Sequence, residues 1–203
     1  MESETYGARI GRGLRLALVA LLLMALIAGC APRARQARLP ATAVAGASSV
    51  GAVVAVTSPP SLQAALMLQL VNQERARVQR CGGAVFAPAP PLGWNDALAL
   101  AAEGHARSMA QFGYLSHVSP SGGTVGARIA ATGYPARTWG ENIAAGYVDP
   151  AEAVAGFLAS PAHCLVLMDA GFEALGAAFV EDEASVFGSY WTLVFAAPQP
   201  LAP

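Results

Sequence analysis

The sequence contains no lysine: all 12 basic residues are arginine, against 13 acidic ones, and only 12% of its 203 residues are charged. Arg9, Arg12 and Arg15 precede one apolar run, and Arg33, Arg35 and Arg38 follow it closely. From Ser61 onward acidic residues outnumber basic ones. Nothing there resembles the basic stripe that a phosphate backbone demands, so a nucleic-acid partner is excluded. A Gly-rich phosphate loop, a nucleophile elbow and a His-Glu-x-x-His helix are also missing. Their absence removes the usual sequence signatures of nucleotide, α/β-hydrolase and zinc-peptidase chemistry. Cysteine and histidine occur only three times each.

What the chain does have begins at its N-terminus. The three early arginines lead into an apolar core from Leu14 to Ala28, which is shorter than the roughly 20 residues of a spanning helix and closes on Ile27-Ala28-Gly29-Cys30. This is the pattern of an export signal over residues 1–29. Its last four residues resemble a bacterial lipobox, in which Cys30 is lipidated after cleavage behind Gly29. The competing reading is an ordinary signal peptide or an uncleaved anchor with a chance cysteine. Either way the protein is expected outside the cytoplasm, as a membrane-anchored lipoprotein or a secreted extracytoplasmic protein. Residues 30–60 are rich in Ala, Pro, Ser, Thr and Arg and read as a flexible tether, within which Val50 to Val56 has the composition of a short strand. Export places Cys81 and Cys164 in an oxidising compartment. With Cys30 taken by lipid, a disulfide is the simplest reading, and two separately buried thiols are the alternative.

The exported domain is expected over residues 61–203. Ser61 is a helix N-cap candidate, with Leu62, Ala65, Leu66 and Leu70 on one face and the helix stopping near Arg80. Asn95 opens a second helix through Phe112, closed by Gly113. Val125 to Ala131 and Pro150 to Leu158 read as further helices. Leu175 to Val180 and Tyr190 to Phe195 alternate around the acidic turn Glu181-Asp182-Glu183, a hairpin pattern. Helices first and strands last point to an α+β fold.

Polar groups able to move a proton or hold a metal are few, and they gather between Phe112 and Met168. His117 lies in the polar turn after the second helix, Glu141 in Gly140-Glu141-Asn142, and His163 after Ser160-Pro161. Two imidazoles and a carboxylate suit a divalent metal such as zinc. They equally suit a histidine base oriented by a carboxylate, and spacing does not choose between the two. Each also has a bland reading: a surface loop histidine, a carboxylate bonded to loop backbone, and a histidine at the end of a helix where the dipole favours a cation. His105, spaced with Ala101, Ala102 and Met109, is expected in the core with a satisfied hydrogen bond. Trp94, Trp139 and Trp191 are expected as core aromatics. Ser160 beside His163 has no accompanying oxyanion motif, so a serine-hydrolase reading is set aside.

Several motifs together resemble the CAP superfamily, also called the SCP domain, in its bacterial secreted branch. They are Leu70-Val71-Asn72-Gln73-Glu74-Arg75, Leu98 through His105-Ala106 with Met109, and Leu115-Ser116-His117, followed by Gly140-Glu141-Asn142-Ile143-Ala144, Ser160-Pro161-Ala162-His163, and Gly176 with Tyr190-Trp191-Thr192. The resemblance covers about Leu66 to Ala197. It implies an α-β-α sandwich, a central and mainly antiparallel sheet between helices, with a cleft holding His117, Glu141 and His163. It also implies departures. The strand histidine of eukaryotic relatives is absent from Ser189-Tyr190-Trp191-Thr192-Leu193, Ser160 stands near the place of a second cleft acid, and Ala162 replaces a usual glycine. Cys164 after the histidine, together with Cys81-Gly82, matches a recurring variant and supports the disulfide. The function expected is an envelope binding module for a metal, an apolar molecule such as a lipid or sterol, or another envelope component. The alternatives are a metal-assisted or His/Glu acid-base hydrolase, with His117, Glu141 and His163 as its catalytic candidates, and a loop-mediated interaction or defence factor.

Overall fold

The Ser61 hydroxyl accepts from the Ala64 amide at 3.2 Å and starts helix α1, Leu62–Arg75. The computed structural model describes residues 60–200; the export signal, the lipobox cysteine and the Val50–Val56 strand expectation lie outside them. Helix α1 stops short of Arg80. The chain from Gln79 instead forms strand β1, Gln79–Cys81, which pairs with β2, Ala84–Phe86. Gly82 makes this turn possible by holding a φ of 61°, which side chains with a Cβ rarely adopt. A two-residue strand, β3 (Gly93–Trp94), precedes α2, Asp96–Phe112. Both ends of α2 follow the local signals: the Asn95 side chain accepts from the Leu98 amide at 3.0 Å, and Gly113 closes the helix in the left-handed region.

Helix α3, Val125–Ala131, is capped by Thr124 and leads into strand β4, Ala136–Ala145. Helices α4 (Pro150–Ala159) and α5 (Pro161–Met168) meet at Ser160 with a bend of 107°. Strands β5 (Ala174–Glu181) and β6 (Ser189–Pro198) form the expected antiparallel hairpin. The sheet order is β3-β5-β6-β4, antiparallel except that β3 runs parallel to β5.

Side-chain alternation on β6 decides the layers. Trp191, Leu193 and Phe195 pack with Met67 and Val71 of α1, Phe157 of α4 and Leu167 of α5. Val194 and Ala196 face Leu98, Ala102 and Ala106 of α2 and Ile129 of α3. The sheet therefore lies between two layers of helices, as the α-β-α sandwich requires. A Cβ on Gly176 would overlap the backbone of Leu98 and Ala99, so α2 presses directly onto β5 at a position only glycine can fill.

Cys81 and Cys164 are joined, with their Cα atoms 5.3 Å apart across 83 residues of sequence. The bridge ties the β1–β2 hairpin to α5. The buried Arg75 adds a second tie: Nε donates to Pro90 O at 2.9 Å, and Nη1 donates to Leu167 O at 2.7 Å and Asp169 O at 2.9 Å. Asn72, one turn earlier, exchanges two hydrogen bonds with the backbone of Leu92. The Asn72 and Arg75 of the first-helix motif are therefore structural residues. Trp191 is fully buried and Trp94 half-buried, but Trp139 is 49% exposed and lies against Gly126 of α3, contrary to its expected core position.

Candidate functional site

Consecutive residues of β4 point to opposite faces of the sheet. Glu141 faces the α2–α3 side and Asn142 the α5 side, and this alternation sorts the three expected site residues. Glu141 is buried, and its Oε1 accepts from His117 Nδ1 at 2.8 Å. Its Oε2 accepts from Arg128 Nη2 at 2.6 Å. His163 is not bonded to this pair: its carbonyl accepts from Asn142 Nδ2 at 3.0 Å, and its ring stands edge-on to Phe157. Among the described residues its side chain makes no hydrogen bond with His117 or Glu141. It also lies in the first turn of α5, not at a helix end where a cation would be favoured.

The Glu141 carboxylate is the centre of a clamp on the polar loop. Arg128 also donates to Gly123 O at 3.0 Å and to His117 O at 3.2 Å. His105 is buried, as expected, and its Nε2–H donates to Ser116 O at 2.8 Å, while the same nitrogen lies 3.9 Å from Glu141 Oε1. Four bonds thus hold residues 116–123 against the sheet. Sequence reasoning alone does not assign Arg128 or His105 to the site. The available signal is that Arg128 is the lone basic residue of the short α3 helix, a few residues beyond the His117 turn.

Nδ1–H of His117 points at the carboxylate, its Nε2 makes no hydrogen bond among the described residues, and the side chain is 50% exposed. This is a histidine oriented by a carboxylate. A metal fits the set poorly. Among the described residues no group of three His, Cys, Asp or Glu side chains is placed to hold an ion. Both Glu141 oxygens are already bonded, one of them to a guanidinium that repels cations. Among the described residues His117, Glu141 and His163 do not form such a group: the carboxylate binds Arg128, and His163 lies on α5. Nor is any hydroxyl or thiol hydrogen-bonded to the His117 ring among the described residues. A groove of about 560 Å³ lies apart, lined by none of these three residues.

Burial holds the His163 pKa below its ordinary value, and the neighbouring His117 lowers it further. Burial also lowers that of His105, against the opposing pull of Glu141. Both groups are thus held neutral in the folded protein while the unfolded chain protonates near pH 6.5. Above that value both states are neutral and the stability is whole. Below it the unfolded state takes up protons that the folded state resists, so stability falls as pH falls. Thermal unfolding should show a lower Tm at pH 5.5 than at pH 7.5. A Tm that stays level or rises on acidification would contradict this.

A sheet layered between helices, a carboxylate–histidine pair on its β4 edge and a disulfide between the turn after the first helix and the last helix define a CAP-type domain. Residues 68–195 match the family model of the cysteine-rich secretory protein family, CAP, and the chain belongs to that family. It is 30% identical over 139 residues to the uncharacterized protein YkwD of Bacillus subtilis, covering 68% of this chain and 50% of that protein. Among solved structures it resembles an extracellular protein containing an SCP domain from Bacillus anthracis, at TM-score 0.55 and 28% identity, covering 69% of this chain and 45% of the other. It shares its fold with an outer surface protein of Borrelia burgdorferi, at TM-score 0.53 and 17% identity, covering 66% and 94% of the two chains. The chain spans about half the length of YkwD and a quarter of the B. subtilis membrane protein YlbC, which it also matches.

Proposed function

We propose that this protein is an exported, lipid-anchored binding module of the cell envelope, in which the clamped loop presents His117 to a ligand. The observation that carries the reading is the bonding of Glu141. With both oxygens engaged by His117 and Arg128, the carboxylate acts as a positioning group, and the free His117 Nε2 is the functional edge. Leu115 and Val118, on either side of Ser116-His117, are 45% and 48% exposed. An apolar molecule with one hydrogen-bonding group, such as a fatty acid or sterol, matches that combination. Export is supported by the signal-like N-terminus and by the extracellular description of the similar SCP-domain protein.

Titrating the purified protein with a fluorescent fatty acid and a fluorescent sterol tests this reading. Saturable binding of at least one is expected, weakened about three- to tenfold in His117→Ala by the lost hydrogen bond. Equal affinity for wild type and variant, or no saturable binding of either, would overturn it. The anchor is tested separately: Cys30→Ser should abolish lipid labelling, and normal labelling of that variant would remove it.

A further inference from the structure

The turn of the β5–β6 hairpin and the last residue of α2 bring three apolar side chains to the surface. Val186 is 72% exposed, Phe187 43% and Phe112 62%. They lie together: a Cβ on Gly113 would stand 3.0 Å from Val186 Cγ2, so the turn is seated on the C-cap of α2. Phe112 precedes that contact by one residue and Phe187 follows it by one. The turn is held in this shape by its own bonds. The Asp182 amide donates to Gly188 O at 2.8 Å, the Ser185 amide to Asp182 O at 2.9 Å, and the Gly188 amide to Ser185 Oγ at 3.2 Å. The Phe187 ring is braced edge-on by Tyr190, with 5.9 Å between centroids. A rigid apolar patch rimmed by polar residues is the usual mark of an interaction site.

The rim is of one sign. Glu181 and Glu183 are exposed on the same turn, and among the described residues neither is in an ion pair. Asp182 between them bonds inward, its Oδ1 accepting from the Ala184 amide at 3.1 Å. No basic residue occurs from Ser108 to Ala127 or from Glu181 to Tyr190. The last turn of α2 carries no basic side chain either, so nothing there offsets the negative end of its dipole.

We propose that this acid-rimmed apolar tip binds a segment of another protein that presents basic and apolar side chains together. Charge complementarity selects that occupant. An anionic bilayer surface would be repelled by the glutamates, and so would the same tip of a second copy. Three side chains also expose far less than the roughly 800 Å² per partner of a stable interface between folded proteins. A short segment with a few apolar anchors and two or more arginines or lysines matches both the size and the sign. The tip takes no part in the His117 clamp, so each reading stands or falls without the other.

Hydrogen exchange of the full chain in nanodiscs of zwitterionic lipid tests the tip. The probe is a short peptide of leucine and arginine in amphipathic helical spacing, and its counterpart has glutamate in place of arginine. The leucine–arginine peptide should slow exchange saturably in residues 110–114 and 183–188, and the glutamate peptide should not. Val186→Ser/Phe187→Ser should raise the peptide concentration needed by about tenfold, and Glu181→Gln/Glu183→Gln by about threefold. Unchanged exchange elsewhere in α2 and β6 shows that the variants are folded. The absence of saturable slowing, equal slowing by both peptides, or slowing that neither pair of substitutions weakens would overturn the proposal. Slowing without peptide, on anionic vesicles or with rising protein concentration, would assign the tip to a membrane or to a second copy and would equally overturn it.

Discussion

Replacing Glu141 with alanine should destabilise the domain by roughly 3–5 kcal/mol, the usual penalty for stripping one partner from a buried ion pair. The carboxylate side chain is 1% exposed and its guanidinium partner on Arg128 14% exposed, so little water is available to replace the lost contact. Two polar groups lose their partner at once: Arg128 Nη2 at 2.6 Å and His117 Nδ1 at 2.8 Å. Among the described residues Arg128 Nε already lacks a bond, which leaves the guanidinium with few ways to compensate. Removing both charges in Glu141→Ala/Arg128→Met should be less damaging than the sum of the single changes, because neither charge then remains unpaired. Urea unfolding of the four proteins measures this. A Glu141→Ala curve superposing on wild type would show that the carboxylate holds nothing in place.

Arg75→Met should lower stability by a similar amount, about 3–5 kcal/mol from three buried carbonyls left unbonded, without touching the His117 loop. The three carbonyls that Arg75 satisfies belong to Pro90, Leu167 and Asp169, so one side chain fastens the 87–92 connection and the end of α5 to α1. Each buried carbonyl left unbonded costs about 1–3 kcal/mol, and methionine can fill the space of the stem but donates none of the bonds. Burial lowers the Arg75 pKa and the charge of Asp169 opposes that shift. A change in unfolding free energy below about 1 kcal/mol would mean that water enters and satisfies those carbonyls.

The extent to which the sequence announces this structure depends on how local each determinant is. Helix α2 starts at Asn95 and ends at Gly113 because a side-chain cap and a left-handed glycine act within one turn, and both are legible. The β5–β6 hairpin is legible for the same reason: its alternation sits on either side of one acidic turn. Strand β4 is not, because Arg137-Thr138-Trp139-Gly140-Glu141-Asn142 has no apolar alternation; what holds it in the sheet is pairing with β6 along Glu141↔Val194 and Asn142↔Leu193. Helix α1 reads too long because nothing near Arg75 signals a stop, and the hairpin at Gly82 competes for Gln79–Cys81. The break at Ser160 conceals α5, and with it the fact that His163 opens a helix instead of closing one.

The site is legible in its residue types and not in its connections. His117 and Glu141 meet, and the disulfide joins Cys81 to Cys164. Arg128 redefines what the carboxylate does, and only the fold brings α3 against β4 to show it. His105 reads as a core residue because it is one; its bond to Ser116 O makes it a support of the loop as well.

The tautomer of His117 bears most directly on the idea that Glu141 orients an exposed imidazole. Nitrogen-15 NMR of the imidazole ring at pH 7.5 should show Nδ1 protonated and hydrogen-bonded, with Nε2 carrying a free lone pair, and Glu141→Gln should weaken that preference. A ring with its proton on Nε2 in the wild-type protein would contradict the clamp and, with it, the presentation of His117 to a ligand.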